Sequence, residues 1–399
     1  MNKMLISEFM ENFKCIGSLC ESTCCSSWDI LIDKNTYFQY RKVKDKKLKK
    51  LIDGSIELNN TEIDSHYAKI KLNQDNLCPL LDESKLCTIH KQLGENALCY
   101  TCKVYPKNYN KIGNLVEKSV MISCPEVARL ALLNPNKMTF KEIEIEKDVI
   151  YYPRKKINDD ENLFWLSRIF TIDLLQNREF RIWERLIILG LFLEEASEVI
   201  KNKEEEKLKS IIDSFNYLLK TNEIKFILES YDTNTNFQLN IVSILNDARL
   251  KFRMNDNVFL DCVDEFNKGL DIGNDFEEKR YELYNNNYFD YYAPFMERHE
   301  YIMENYLVHY VFIETFPFTN DKSIFDEYCM LILNYALVKA YLIGMSGFYK
   351  KMNESIIVRL IHSFHRTYHH GNQIMEYVFL KLKDSSKMTL KNMTFLIKN

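Results

Sequence analysis

Residues 13–25, FKCIGSLCESTCC, and 78–102, CPLLDESKLCTIHKQLGENALCYTC, carry eight cysteines between them, and their reading decides how the chain divides. With Cys124, nine of the eleven cysteines fall in the first 124 of 399 residues; only Cys262 and Cys329 lie beyond. Thiols scattered by chance would follow length, so the crowding points to a shared task. Thiolates are soft donors suited to zinc, copper(I) and iron–sulfur clusters. Cys15-x4-Cys20-x3-Cys24-Cys25 forms one group, Cys78 with Cys87 a second, and Cys99-x2-Cys102 a third. The last spacing lets two sulfurs reach one metal from a single turn. Two such pairs complete a four-thiolate site, either tetrahedral zinc or an iron–sulfur cubane. Eight donors exceed one site, so a second site or some non-ligating thiols are expected. Cys124 is a reserve donor. His90, three residues after Cys87, is either a ligand or an ordinary polar residue. Cys262 and Cys329 sit in helical patterns and read as inert core thiols.

Composition narrows the class. The net charge of −4 argues against broad nucleic-acid binding, which shows as a basic excess. With 10 Gly and 7 Pro, long helices are favoured over sheets with many tight turns. The opening MNKMLISEFMENFKC has no long apolar run before a cleavage site, so no secretory signal is expected. Neither the apolar run 186–193 nor 328–345, interrupted by Asn334 and Lys339, reaches the roughly 20 residues of a membrane span. The expectation is a cytoplasmic protein with no membrane and no nucleic-acid partner, where clustered cysteines bind metal or do redox chemistry rather than form disulfides.

Along the chain, 28–33 and 67–73 read as short strands, 36–52 as a solvated helix, 78–87 as a turn, and 125–133 as a helix with Pro125 in its first position. Asn134-Pro135-Asn136 and the charged segment 141–148 make the expected boundary. Beyond it, helices are drawn over 160–176, 178–200, 203–220, 237–268, 275–288, 296–315, 323–345 and 353–383. The expected fold is therefore mainly α: a small cysteine-rich α+β metal-binding module over 1–135, then an all-α domain over 136–399. No G-x-G-x-x-G after a strand, phosphate-binding loop, H-E-x-x-H or G-x-S-x-G occurs, so conventional nucleotide binding on a doubly wound sheet is unsupported.

The blocks FKCIGSLCESTCCSSWDILIDKNTYFQY (13–40), CPLLDESKLCTIHKQLG (78–94) and LCYTCKVYPKNY (98–109) resemble the flagellin lysine-N-methylase family and, more loosely, small zinc- or iron-chelating cysteine-cluster proteins. LLQNREFRIWERLIILGLFL (174–193), ENYLVHYVFIETFPF (304–318) and FHRTYHH (364–370) resemble later blocks of that family, with Arg366 and His370 on its C-terminal motif. Lys107 departs from the family's more usual Arg, and His365 and His369 from its Ser and Glu.

The resemblance implies methyl transfer from S-adenosylmethionine to lysine side chains of flagellin. It also implies an iron–sulfur cluster, a 4Fe–4S cubane with zinc as the alternative, on Cys15, Cys20, Cys24, Cys25, Cys78, Cys87, Cys99 and Cys102. Gln176, Arg178 and Arg185 lie in the second block and are the candidate cofactor-binding residues. Their arginines either bind the donor's carboxylate or pair with Glu179 and Glu184. The aromatic stretch Tyr281, Tyr284, Tyr288, Phe289, Tyr291 and Tyr292 reads either as an alkylammonium slot or as helix packing. Glu304 and Glu314 read as lysine-attracting or solvated acids. Two other function classes stand beside the enzyme: a non-catalytic zinc-stabilised protein-binding module, and an iron–sulfur redox sensor.

Overall fold

The computed structural model describes residues 2–26, 28–60, 63–145, 153–157, 160–221, 223–252, 256–273, 277–318, 322–369 and 373–399. It is mainly helical, with 63% helix and 10% strand. Eight strands run in chain order: β1 (Asn2–Ser7), β2 (Leu31–Ile32), β3 (Ile56–Leu58), β4 (Ala68–Ile70), β5 (Lys107–Ile112), β6 (Leu115–Val120), β7 (Phe140–Ile145) and β8 (Lys155–Ile157).

The small thiol-bearing lobe is built on the three-stranded sheet β2-β4-β3. Where one helix was expected over 36–52 there are two, Lys34–Arg41 and Lys46–Ser55. Each starts on an aspartate whose carboxylate accepts a backbone N–H three residues on: Asp33 from Thr36 at 2.9 Å and Asp45 from Leu48 at 2.7 Å. A capping carboxylate in mid-pattern is a start signal, and it divides the run. Ile30, Ile32, Tyr40, Leu48, Ile52 and Ile89 form this lobe's own core, with Cys78 and Cys99 inside it.

The second sheet has the order β7-β1-β6-β5-β8. β1 runs parallel to β6, with Met4 opposite Val116, and antiparallel to β7, with Met4 opposite Ile143. The β5–β6 hairpin turns at Gly113, whose φ of 53° falls in the left-handed region that glycine enters without a Cβ clash. Because β7 and β8 lie beyond residue 135, this sheet crosses the boundary expected at 134–148. Among the described residues, the part after it is otherwise helical.

The helical body is organised around Ile324–Tyr349, capped by Ser323. By length and apolarity this helix passes the test for a membrane span, yet 94% of its apolar window is buried inside the protein. Helix Asn257–Gly269 crosses it closely: a Cβ on Gly269 would lie 1.9 Å from the Gly344 carbonyl oxygen. The helix expected over 237–268 is divided into Thr235–Lys251 and Asn257–Gly269, the second capped by Asp256. That expected over 353–383 becomes Glu354–His369 and Gln373–Asp384, with His370 outside the described residues. The region 293–313 also holds two helices, Ala293–His299 and Tyr301–Ile313.

The central helix buries a cation. Lys339 is 4% exposed, donates to the Ile397 carbonyl at 2.7 Å, and lies 5.6 Å from the Tyr288 ring centre. Burial pushes it down to about 7, with Glu300 opposing. The unfolded chain therefore holds one more proton than the folded one between that value and the ordinary 10.5, so this group makes stability rise with pH across that window. Lys339→Met is expected to raise stability at pH 7 by about 1–3 kcal/mol, the desolvation relief less the lost hydrogen bond. The gain should shrink toward pH 10, as read from urea unfolding at several pH values.

Candidate functional site: the junction between the thiol lobe and the helical body

Six of the expected metal ligands gather in the small lobe. Cys24 and Cys25 form one hydrogen-bonded pair, and Cys99 and Cys102 another. Cys78 and Cys87 lie within electrostatic reach of both pairs. Cys20 and Cys124 flank Cys24 on the side facing the body. Cys15 is exposed. Cys87, Cys99 and Cys124 each occupy the position just before a helix, where unpaired backbone N–H groups favour a thiolate. Against that, burial pushes Cys78 and Cys124 up to about 11. Cys24 is drawn down to about 7 by the hydrogen bond from Cys25, helped by the Arg366 guanidinium.

The donor set is chemically suited to a thiolate-bound metal. As arranged, the thiols form pairs. Among the described residues no group of three or more His, Cys, Asp or Glu side chains is placed to hold a metal ion. His90 is exposed on Thr88–Leu93 and meets Cys87 through its backbone N–H. Cys262 and Cys329 are fully buried among helices, and burial pushes both thiols up to about 12.

Arg366, on Glu354–His369, fastens the lobe to the body. It is 2% exposed and donates to the Ser22 hydroxyl at 2.6 Å, the Thr23 carbonyl at 3.2 Å, and the Ser22 and Ser123 carbonyls at 3.2 and 3.3 Å. The Asp256 carboxylate stands 3.8 Å away. One turn earlier on the same helix, His362 is buried, and among the described residues neither ring nitrogen has a hydrogen-bond partner. Burial, and then Arg366, push it down to about 3. A second path links the thiols to the body: Trp28 donates to the Cys24 carbonyl at 2.6 Å, its ring lies 5.4 Å from Tyr105, and the Tyr105 and Ser123 hydroxyls are 3.1 Å apart.

Beside Ser123 the junction encloses a narrow slot. Met121–Ser123 form one wall; Tyr306, His309, Tyr310 and Glu314, along the Tyr301–Ile313 helix and its end, form another; His365 and Arg154 close it. The residues 306, 309, 310 and 313 recur with three- and four-residue steps, so a single helix face presents them. The slot holds about 30 Å³ of free space, room for one water-sized group. The Tyr306 hydroxyl and His365 Nε2 are 3.0 Å apart. His309 Nε2 donates to the Val120 carbonyl at 2.8 Å, which makes Nδ1 the acceptor, and burial pushes this ring down to about 4. The Glu314 carboxylate is paired with Arg154 and with Lys155 Nζ at 2.9 Å. The slot is thus lined by phenols, neutral imidazole and a compensated carboxylate, and it contains room for a small neutral amine.

The candidate cofactor residues lie elsewhere on the body. Arg178 grips Glu304 through two nitrogens at 2.8–3.1 Å, and Arg185 reaches the same carboxylate at 2.8 Å and Glu300 at 3.5 Å. Arg185 also donates to the Phe180 and Leu175 carbonyls. The expected partners Glu179 and Glu184 are replaced by acids more than a hundred residues away. Gln176 donates to the Met138 carbonyl at 3.0 Å and borders a groove with Lys137 and Asp173. Glu304 is thus a buried ion-pair partner, whereas Glu314 borders the slot. In the aromatic stretch, Tyr284 and Tyr292 are buried core, and Tyr288 faces the chain's own Lys339. His309, Tyr306 and Arg154 were not singled out in the sequence; the only signal for the first two was their place in the block 304–318.

A family profile described as the FliB lysine N-methylase C-terminal domain matches residues 168–396. A flagellar biosynthetic protein FliU of Salmonella muenchen is 35% identical over 145 residues, covering 36% of this chain and 85% of that protein. Proteins named lysine-N-methylase from Salmonella choleraesuis and Salmonella typhimurium are 35% identical over 145 residues, covering 36% of this chain and 36% of theirs. The chain therefore matches about a third of the length of those two relatives. No solved structure matches significantly. Helices Tyr301–Ile313 and Glu354–His369, which carry half of the slot's lining residues, fall inside the profile match, and the chain belongs to the FliB lysine N-methylase family.

Proposed function

We propose that this chain is a protein-lysine N-methyltransferase that moves a methyl group from S-adenosylmethionine to lysine ε-amines of flagellin, and that the junction slot receives the amine. The observation that carries this reading is the slot itself, narrow, water-sized and lined by phenols, a neutral imidazole and an ion-paired carboxylate. A lysine of ordinary pKa about 10.4 must lose its proton before it attacks. Burial disfavours the charged form, and Arg154 beside the slot disfavours a second cation. Glu314 already carries two cations, so the slot favours a neutral amine over an ammonium. The Tyr306 oxygen and His309 Nδ1 can accept its N–H groups and leave the nitrogen lone pair for the methyl carbon. In the transfer, the N–C bond forms as the S–C bond breaks, the bonding pair stays on sulfur, and the surplus proton leaves the amine for solvent.

Polar transfer of this kind needs no metal. We nevertheless propose that Cys24, Cys25, Cys78, Cys87, Cys99 and Cys102 hold an iron–sulfur cluster, with Cys15 and Cys20 as further donors and zinc as the alternative. The gathering of soft thiol donors in one lobe supports this, and a cluster would supply one-electron exchange when bound. Holding one centre requires the two thiol pairs to close toward each other. Arg366 orients the 22–26 loop that carries one pair. The proposed setting is a reducing cytoplasm, where such thiols stay free.

Two measurements test this reading. Flagellin co-expressed with the chain is expected to gain mass in steps of one methyl group on lysines, and unmodified flagellin that still co-purifies would favour a binding module. Protein purified without oxygen is expected to be brown with iron and acid-labile sulfide; a colourless protein carrying zinc would make the thiol lobe structural.

A further inference from the structure

A larger groove adjoins the slot. It encloses about 480 Å³ between Glu8–Asn12, the end of helix Pro125–Leu132, the segment 134–139 and Asn305. That volume lies within the range of small-molecule sites, roughly 300–1,000 Å³. Asn305 is 1% exposed, and both Nδ2 hydrogens are committed, to the Leu132 carbonyl at 3.2 Å and the Asn134 carbonyl at 2.8 Å. Two carbonyls can accept only from the amide nitrogen, so the orientation of this side chain is set by its partners. Asn305 lines the groove, and its buried Oδ1 has no hydrogen-bond partner among the described residues. A buried acceptor left unpaired costs about 1–3 kcal/mol, and a ligand N–H or O–H would remove that cost.

The rest of the wall specifies the ligand class. Phe9 offers a half-buried aromatic ring, Glu8 a carboxylate that accepts from the Thr139 hydroxyl, Glu11 a carboxylate paired with Lys141, Arg129 a guanidinium paired with Glu21 and Glu126, and Lys137 an exposed ammonium. A nucleoside bearing a sulfonium and a zwitterionic amino acid has an aromatic base for Phe9, a cation for the acids and a carboxylate for Lys137. The Phe9 ring also lies 6.3 Å from the His309 ring, which borders the slot. Asn305 and His309 are one turn apart on the same helix. The two cavities therefore share one wall. Lys137 and Met138 connect the groove to Gln176, through Gln176 Nε2 on the Met138 carbonyl.

From this geometry we infer that the groove is the S-adenosylmethionine site, with Asn305 Oδ1 accepting from the nucleoside and Phe9 stacking on its base. This rests on the methyl-transfer reading. The test is equilibrium dialysis of S-adenosylmethionine against the full chain and three variants, each checked for fold by circular dichroism. Phe9→Ala is expected to weaken binding about tenfold or more, the usual loss of a stacked base. Lys137→Glu, an exposed change that leaves the fold alone, is expected to weaken it several-fold. Tyr306→Phe, in the slot, is expected to leave it within about twofold. Ultraviolet cross-linking of methyl-labelled donor should place the label on the peptide containing Phe9.

Equal binding by all variants, or label on other peptides, would overturn the groove assignment and leave the methyl-transfer reading standing. Absence of any donor binding, while co-expressed flagellin still gains methyl groups, would overturn the choice of donor and the groove together. If flagellin also gains none, the methyl-transfer reading falls with them.

Discussion

Replacing Glu304 with glutamine is expected to lower the free energy of unfolding by about 3–5 kcal/mol, the range for breaking a buried ion pair from one side. Glu304 is 1% exposed and holds two guanidinium groups. Arg178 is 41% exposed along its side chain and can turn to water when the carboxylate goes. Arg185 cannot, because it is 2% exposed and would keep only two carbonyls and Glu300 at 3.5 Å. The loss should appear as a lower urea midpoint with an unchanged slope. The double variant Arg185→Met, Glu304→Leu should recover most of it, since removing both charges removes the desolvation cost as well. A single variant as stable as the parent would mean that the network is solvated rather than buried. The candidate role of Arg178 and Arg185 toward the methyl donor is separable in the same series, because a donor-binding arginine lost by substitution lowers donor affinity even in the stabilised double variant.

Tyr306→Phe is expected to reduce methyl transfer about 10–100-fold while changing stability by only about 1 kcal/mol, the net worth of one hydrogen bond. The hydroxyl is one of few acceptors in a slot with about 30 Å³ of free space, and it sits 3.0 Å from His365 Nε2. Without it the amine loses an orienting contact, and with the amine occupying the slot's one water-sized space no water can replace it. The loss should fall on the rate constant at saturating donor rather than on donor affinity. The parent's rate should rise with pH from 7 toward 9 as the free lysine deprotonates. His309, held neutral above about 4, should add no inflection in that window. A variant with normal turnover would move the chemistry out of the slot.

Much of the architecture was legible. The cysteine crowding marked the small lobe, Pro125 marked a helix start, and most of the helical run beyond residue 160 was drawn, though Glu223–Glu229 and Leu390–Ile397 were not. Breaks were less visible: Asp45 and Asp256 read as charged residues within a period, but each is a capping carboxylate that starts a new helix. The five strands of the larger sheet, β1, β5, β6, β7 and β8, were missed for another reason. A strand of six residues or fewer has little pattern of its own, and the partners of β7 and β8 lie at residues 2–7 and 107–112.

The site divides along the same line. Local sequence determined which thiols lie together, because spacing within one turn or loop suffices to bring Cys99 to Cys102 and Cys24 to Cys25. It also determined the helical class of the body, through apolar periodicity. Only the tertiary structure decided that Ser123, Arg154, His309 and His365 enclose one slot, that Arg366 clasps the loop at 22–26, and that Glu304 is the acid between Arg178 and Arg185. Those contacts join residues 100 to 350 positions apart. Their partners are selected by packing and by the need to neutralise charge and pair polar groups out of water, and neither leaves a periodic trace along the chain.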